Sequence, residues 1–138
     1  MANTAEKYGL RPVRKVDGSP FINAQNRYRI AANYGTPIYQ GDLVKPVTGG
    51  GIERAVANTS DLVVGVFNGV FYNDPTTQKP TYKNYYPGGI TPTQGDITAF
   101  IVDDPDAVFL SDADAAFTRA DLFKNYSVTN TTGVTQTG

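Results

Sequence analysis

GDLVKPVTGGGIERAVANTSDLVVGVFNGVFY, residues 41–72, is the stretch that decides the fold of this chain. Its second half, residues 62–72, is rich in β-branched and aromatic residues. It is bounded by the turn-forming runs Asn58-Thr59-Ser60 and Asn73-Asp74-Pro75, which is the pattern of a strand. Successive side chains of a strand point to opposite faces, and apolar groups fall on both faces of this one. We therefore expect a central strand that is covered on both sides.

The first half of the same stretch predicts a second, shorter strand. Gly41-Asp42 opens this strand, which runs through Val44, and Pro46 should end it because proline cannot donate to a ladder. Gly49-Gly50-Gly51 then makes a flexible turn before the apolar positions that begin at Ile52. The turn lacks the lysine and hydroxyl residue that close a phosphate-binding loop, so we interpret it as a turn only.

Three further strands are predicted outside this stretch. Residues 27–31 alternate polar and apolar groups and place both of their guanidinium groups on one face. Residues 97–102, ITAFIV, form another strong strand, and a turn at residues 103–106 leads into residues 107–110, AVFL. We expect these last two strands to pair as a hairpin.

At most one short helix is predicted. Residues 111–114 carry oxygens that can cap a helix, and Thr118-Arg119-Ala120-Asp121 can start one or two helical turns that carry Leu122 and Phe123. The chain is therefore expected to be mainly β.

The ends of the chain and one long loop differ from the strands. Residues 1–26 lack a sustained period and contain glycine and proline, which predicts an extended N-terminal arm. Three alternatives stay open for this arm: it packs on its own domain, reaches a neighbouring subunit, or is disordered.

Residues 27–126 form the β-rich core domain. Its long Tyr, Pro and Gly loop at residues 73–95 surrounds one poor hairpin, and loops this long are usually functional or ordered by a partner. Residues 127–138 are a polar C-terminal tail.

Length and composition exclude several functional classes. A chain of 138 residues has the length of a single domain and is long enough to bury a hydrophobic core. It has no Cys and no His, so most familiar enzyme mechanisms are excluded, and we expect no enzyme and no cofactor. A net charge of −1 argues against a nucleic-acid partner.

The apolar runs are too short for a membrane span. The start MANTAEKYG lacks the apolar core of a signal peptide, so we expect the chain to be used or assembled in the cytosol.

The charges are unevenly distributed along the chain. Six of the twelve basic residues lie in the first 29 positions, whereas seven aspartates lie within residues 96–121. A basic arm and an acidic segment suit head-to-tail contacts between identical copies, or between this protein and a shell protein.

Two groups of side chains are candidates for chemistry. The aspartates of residues 103–114 carry oxygens that hard cations prefer, but the EF-hand order is absent, so we interpret them as turn and capping residues. A hydrolase that uses paired carboxylates, Asp104 among them, is a further alternative with little support in the sequence. The nine Tyr and seven Phe occur without Trp, which suits a protein interface better than a sugar-binding face.

Several short motifs occur in a defined order along the chain. GLRPV at residues 9–13 and DGSP at residues 17–20 precede the Gly-Asp turn, the LVVGVFNGV strand and the IVDDPD strand-turn at residues 101–106. Over about residues 8–123 the chain resembles the small capsid decoration, or cement, proteins of tailed bacteriophages. The resemblance implies a compact barrel-like or sandwich-like (β-tulip-like) domain without catalytic residues, often a trimer. Such proteins often continue past the position of residues 130–133 into a further ordered segment, whereas this chain ends at Gly138.

The resemblance and the residue patterns together predict a virion structural protein. It would be assembled in the host cytoplasm and bind the major capsid protein on the outer surface of the phage head. It would also associate with itself, as a trimer rather than a dimer, and bind neither nucleic acid nor membrane. The alternative is a carbohydrate-binding or host-surface-binding module displayed on the virion. The predicted interface residues come from the arm and from the Tyr-rich loop: Tyr8, Leu10, Arg11, Arg14, Lys15, Phe21, Tyr82, Tyr85 and Tyr86.

Overall fold

The computed structural model describes residues 9–55, 62–113 and 115–128, and these residues form a mainly β fold. The strands are β1 Arg11–Lys15, β2 Asn26–Ile30, β3 Leu43–Pro46, β4 Ile52–Arg54, β5 Gly65–Asn73, β6 Pro80–Lys83, β7 Ile97–Val102 and β8 Ala107–Leu110. A 3-10 turn at Arg119–Asp121 is the helical element among the described residues. The predicted mainly β fold with at most one short helix is thus confirmed. No helix in the described ranges is long and apolar enough to cross a membrane.

The larger sheet is built around β5. Its six antiparallel strands run in the order β2-β7-β5-β3-β4, and β6 also pairs with β5. Strand β7 follows one edge of β5 from Val66 to Phe71, so β3 and β6 share the other edge at its two ends. Val66 and Phe67 point to opposite faces and are both buried. The predicted central strand with two covered faces is therefore confirmed over this part of β5.

The core lies on one face of this sheet. Alternation in β5 turns Val70 and Tyr72 toward the core and leaves Phe71 exposed between them. The buried residues that pack together are Ile30, Ile38, Val44, Ile52, Phe67, Val70, Tyr72, Tyr86, Ile97, Ala99 and Ile101. Most of them come from the six-stranded sheet, and Ile38 and Tyr86 come from segments that lie over it.

The loop at residues 73–95 is held by its own domain. Strand β6 is the poor hairpin expected within it. Beyond β6, Ile38 and Tyr86 exchange two backbone hydrogen bonds of 3.0 and 2.7 Å. Gly89 N donates to the Tyr34 carbonyl oxygen at 2.7 Å. Gly88 has a φ of +88°, and a Cβ there would lie 2.7 Å from the Gly35 carbonyl oxygen, so this close approach requires glycine. The order of the loop therefore does not depend on a partner.

The six-stranded sheet curls but does not close into a barrel. The turn before β4 approaches β2, and a Cβ on Gly51 would lie 2.6 Å from the Arg29 carbonyl oxygen. No ladder joins β2 and β4 in the described part of the chain. The fold is thus compact and built on a curved sheet. Where a barrel-like shape was predicted, the sheet does not close into a barrel.

The second sheet is a two-stranded ribbon of β1 and β8, in which Arg11 faces Leu110 and Lys15 faces Ala107. The predicted hairpin of β7 with β8 is wrong. Both edges of β7 are already occupied, by β2 and by β5, so no edge is left for β8. The turn at residues 103–106 forms as predicted, with Ala107 N donating to the Asp104 carbonyl oxygen at 3.1 Å, but it leads the chain out of the larger sheet.

Candidate functional site

The first candidate surface is the β1–β8 ribbon, which contains most of the predicted arm residues. It pairs with no strand of the larger sheet, and none of its nine residues is buried. Next to it, Leu10 N donates to the Gly41 carbonyl oxygen at 3.1 Å. Residues 9–15 of the predicted arm therefore pack on their own chain, which is the first of the three alternatives for the arm. Val13 and Leu110 are about half exposed, at 49% and 52%.

The predicted arm residues differ in exposure. Arg11 and Arg14 are exposed, whereas Leu10, Lys15 and Phe21 are half-buried. Tyr8 lies outside the described residues. The exposed members of this set are thus the two arginines of β1.

Some of the basic residues near the N-terminus form ion pairs with the later aspartates of the same chain. Lys15 Nζ lies 3.1 Å from Asp104 Oδ2, and this hydrogen bond raises the pKa of Lys15. The backbone N–H of Asp106, followed by Lys15, lowers the pKa of Asp104. Arg29 Nε lies 3.2 Å from Asp96 Oδ1. Two of the opposite-charge pairs that suggested contacts between copies are therefore formed within one copy.

The three tyrosines of the predicted loop lie in three different environments. Tyr82 is exposed, at 57%. Tyr85 is half-buried, with its ring stacked on Tyr39 at a centroid distance of 6.2 Å and Lys83 Nζ 5.5 Å from its centre. Tyr86 is fully buried in the core, so its assignment to an interface with a capsid or subunit is wrong. Its side chain is needed inside the domain, because its hydroxyl donates to the Tyr34 carbonyl oxygen at 2.8 Å.

The second candidate surface lies on the side of the larger sheet that faces away from the core. We call it the outer face; it consists of Arg27, Arg29, Phe71, Tyr82 and Phe100. Strand register sets these residues side by side, because Arg27 pairs with Phe100, and Phe71 pairs with Tyr82. The Tyr82 and Phe100 ring centres are 6.0 Å apart, and the Arg27 guanidinium lies 6.0 Å from the centre of the Phe100 ring. The result is an open aromatic surface with a cation at its edge.

Gly69 makes room for this arrangement. It lies in β5 opposite Phe100, and a Cβ there would lie 2.4 Å from the Tyr82 hydroxyl. The Tyr82 side chain therefore covers the backbone of β5 at this point. Of the outer face, the sequence predicted Tyr82 only. The alternation of β2 did place both arginines on one face, but the partner strand and its register were not predictable from it.

The third candidate surface is the C-terminal knob, residues 117–126. It includes the 3-10 turn and carries four exposed large apolar side chains: Phe117, Leu122, Phe123 and Tyr126, with exposures of 62%, 54%, 104% and 57%. The sequence predicted a turn of helix here but no interaction surface. The signal that could have found it is the density of large apolar residues in a segment too short to form a core.

The aspartates near the ribbon have structural partners. Tyr28 Oη donates to Asp103 Oδ2 at 2.5 Å, which raises the pKa of the Tyr28 phenol. Asn26 Nδ2 also donates to Asp103, at 2.9 Å. In the described part of the chain, no group of three or more acidic side chains is placed to hold a metal ion. Asp104 acts as the predicted turn residue, because its Oδ1 accepts a hydrogen bond from Asp106 N at 2.9 Å. Asp103 instead holds two side chains of β2, and Asp114 lies outside the described residues.

Comparisons of this chain with protein-family models, with curated proteins and with solved structures each found no match.

Proposed function

We propose that this protein is a virion structural protein, a capsid decoration or cement protein that binds the outer surface of a tailed-phage head. In this proposal it stabilises the contacts between major capsid protein subunits. The observation that carries the proposal is the β1–β8 ribbon, which pairs with no strand of the larger sheet in the described structure and has no fully buried side chain. A two-stranded ribbon is only marginally stable alone in water. Such a ribbon suits a protein whose partner supplies the missing surface.

The ribbon offers a partner both apolar side chains and backbone groups. Val13 and Leu110 are about half exposed, and Arg11 and Arg14 lie on β1 beside them. Among the described residues, β8 pairs on one edge only, with β1. A strand of a shell protein that added to the other edge of β8 would be held by main-chain hydrogen bonds, and the side chains would set its specificity. Arginine and exposed apolar groups together are typical of interface residues.

The acidic residues support a role carried by surfaces and not by catalysis. Asp103 is bonded to Tyr28 and Asn26, and Asp104 is paired with Lys15. Both carboxylates thus hold the base of the ribbon in place. The chain has no His or Cys to act as a base or nucleophile.

The proposal includes the following partners and location. The protein binds the major capsid protein on the outside of the head and associates with itself, as a trimer in preference to a dimer. It requires no cofactor, nucleic acid or membrane. Because many identical copies bind one shell, modest affinity at each site is sufficient for stable coverage.

The arm can be tested by deletion. Removal of residues 1–20 should abolish binding to empty shells assembled from the major capsid protein encoded in the same genome, measured by co-sedimentation. The six-stranded sheet should stay folded, because β1 pairs only with β8 in the described structure, and circular dichroism measures this. A folded deletion variant that binds shells as the full chain does would show that the arm is not the binding element.

The same substitution made on the ribbon and elsewhere shows whether a loss of shell binding is specific to the ribbon or is a general effect of the added charge. Val13 is 49% exposed on the ribbon, and Val63 is 48% exposed just before β5. Val13→Asp should weaken shell binding, and the matched control Val63→Asp should leave it unchanged. Equal effects of the two substitutions would contradict a specific role of the ribbon.

A second candidate function is a carbohydrate-binding or host-surface-binding module displayed on the virion. The observation that favours it is the outer face, on which the exposed Tyr82 ring lies beside Phe100 and Arg27. Aromatic rings on an open face can stack on sugar rings. A glycan array that showed saturable binding, lost in Tyr82→Ala but kept in Tyr85→Ala, would support this function. Tyr85 is the suitable control because its ring is packed against Tyr39.

A further inference from the structure

The C-terminal knob is ordered by its own residues. The Asp121 carboxylate accepts hydrogen bonds from Thr118 N at 2.9 Å, from Thr118 Oγ1 at 2.6 Å and from Lys124 Nζ at 3.0 Å. The Tyr126 hydroxyl donates to the Asp121 carbonyl oxygen at 3.1 Å. The Phe117 and Tyr126 rings pack against each other with centres 5.8 Å apart. These contacts fix the shape of a segment of only ten residues.

The knob keeps its apolar side chains in solvent. Leu122 is 54% exposed and Phe123 is fully exposed. Phe123 also has a φ of +67°, a conformation that costs a bulky residue about 1–3 kcal/mol. Its own domain gains no buried area from this arrangement. A preformed apolar projection of this kind is suited to insertion into another surface, because little conformational entropy is lost on binding.

The outer face is the exposed aromatic surface of the same chain. Phe71 and Tyr82 are 42% and 57% exposed, and Phe100 lies half-buried beside them. The knob itself carries Arg119 and Lys124 against Asp121, and the outer face carries Arg27 and Arg29 against the neighbouring Asp96. The fit between the two surfaces therefore rests on apolar contact and not on opposite charge.

The area of the knob favours a second copy of this chain as the partner. A buried aromatic side chain covers about 150–250 Å², so the four exposed side chains of the knob offer roughly 500 Å². A stable interface needs about 800 Å² from each partner. A single knob falls short of this area. A copy reaches this area in total when it inserts its own knob and also accepts the knob of a neighbour, which a closed ring such as a trimer allows.

We propose that the C-terminal knob of one copy packs on the outer face of a second copy. Leu122 and Phe123 of one copy contact Phe71 and Tyr82 of the other. This contact is the basis of the self-association included in the proposed function. It is tested without any shell protein, so its failure and the failure of shell binding are separate results.

Sedimentation velocity of the full chain, from about 1 μM to about 1 mM, tests the contact. The wild-type chain should associate as concentration rises. The knob variant Leu122→Ser/Phe123→Ser and the outer-face variant Phe71→Ser/Tyr82→Ser should each weaken association about 10-fold or more. Leu62→Ser is the matched control, because Leu62 is 81% exposed outside both surfaces, and it should associate as the wild type does. Circular dichroism checks that each variant is folded.

Mixing the variants tests which surface meets which. The knob variant keeps an intact outer face, and the Phe71→Ser/Tyr82→Ser variant keeps an intact knob. An equimolar mixture should therefore form complexes that neither variant forms alone, held by one knob and weaker than those of the wild type. A wild-type chain that stays monomeric throughout would overturn the proposal. So would association that the knob variant retains, or a mixture that stays monomeric at about 1 mM.

Discussion

Two glycines of β5, Gly65 and Gly69, should differ in how strongly the same substitution destabilises the protein. A Cβ on Gly65 would lie 2.3 Å from the Val102 carbonyl oxygen and 2.9 Å from the Ile101 side chain. A Cβ on Gly69 would lie 2.4 Å from the Tyr82 hydroxyl. The first clash is with the backbone of β7, whereas the second is with the far end of an exposed side chain that can rotate away.

The expected magnitudes follow from this difference. At Gly65 the β7 backbone must move by about 1 Å to restore a normal carbon–oxygen distance, and overpacking of this kind costs about 1–3 kcal/mol. The substitution also stabilises the protein by about 0.5–1 kcal/mol, because alanine lowers the conformational entropy of the unfolded chain. Gly65→Ala should therefore lower the free energy of unfolding by about 1 kcal/mol. Gly69→Ala loses a ring contact worth about 0.5–1.5 kcal/mol and recovers a similar amount, so its net effect should be under about 1 kcal/mol.

Urea denaturation measures both effects. Gly65→Ala should shift the midpoint down by about 0.5 M, and Gly69→Ala should shift it little. In Gly69→Ala, nuclear Overhauser contacts between Tyr82 and Phe100 should disappear while the core signals remain. Gly49→Ala is the control, because a Cβ there meets no atom within 4 Å. Equal midpoints for the Gly65 and Gly69 variants would refute the close approach of β5 and β7.

Two further predictions concern buried hydroxyls and pH. Tyr86→Phe should cost about 1 kcal/mol in urea denaturation, because the partly buried Ile90 N loses the hydroxyl as its acceptor. The Tyr34 carbonyl oxygen, which also loses the hydroxyl, keeps its bond from Gly89 N. Tyr72→Phe should be neutral or stabilising, because the buried Tyr72 hydroxyl has no partner among the described residues. The Lys15–Asp104 pair should hold β1 between pH 3.8 and 10.5. The lowered pKa of Asp104 means that this stabilisation is lost as pH falls below 3.8 through the folded value, and the raised pKa of Lys15 means that it is lost as pH rises above 10.5. Amide exchange of β1 checks this dependence. Lys15→Met should remove the loss above pH 10.5 and only reduce the loss below pH 3.8, because Asp106 N still donates to the Asp104 carboxylate.

The candidate surfaces show where prediction from sequence is limited. Tyr82, Tyr85 and Tyr86 are chemically alike and almost adjacent, yet one is exposed, one is stacked and one is buried. Alternation along β6 does not extend to Tyr85 and Tyr86, because the chain leaves the strand at Lys83 and then pairs with Ile38. The fate of each ring depends on that non-local bridge.

The local structure of this chain was readable from its residues because it depends on neighbours in sequence. β-branched and aromatic runs made β5 and β7, the Gly49-Gly50-Gly51 turn joined β3 to β4, and the lack of period in the arm indicated an extended segment. The choice of strand partners depended on the whole fold. β7 has two edges, and once β2 and β5 occupy them, β8 is left to pair with β1. Competition for a limited number of edges is a property of the assembled sheet, and no single stretch of the sequence contains it.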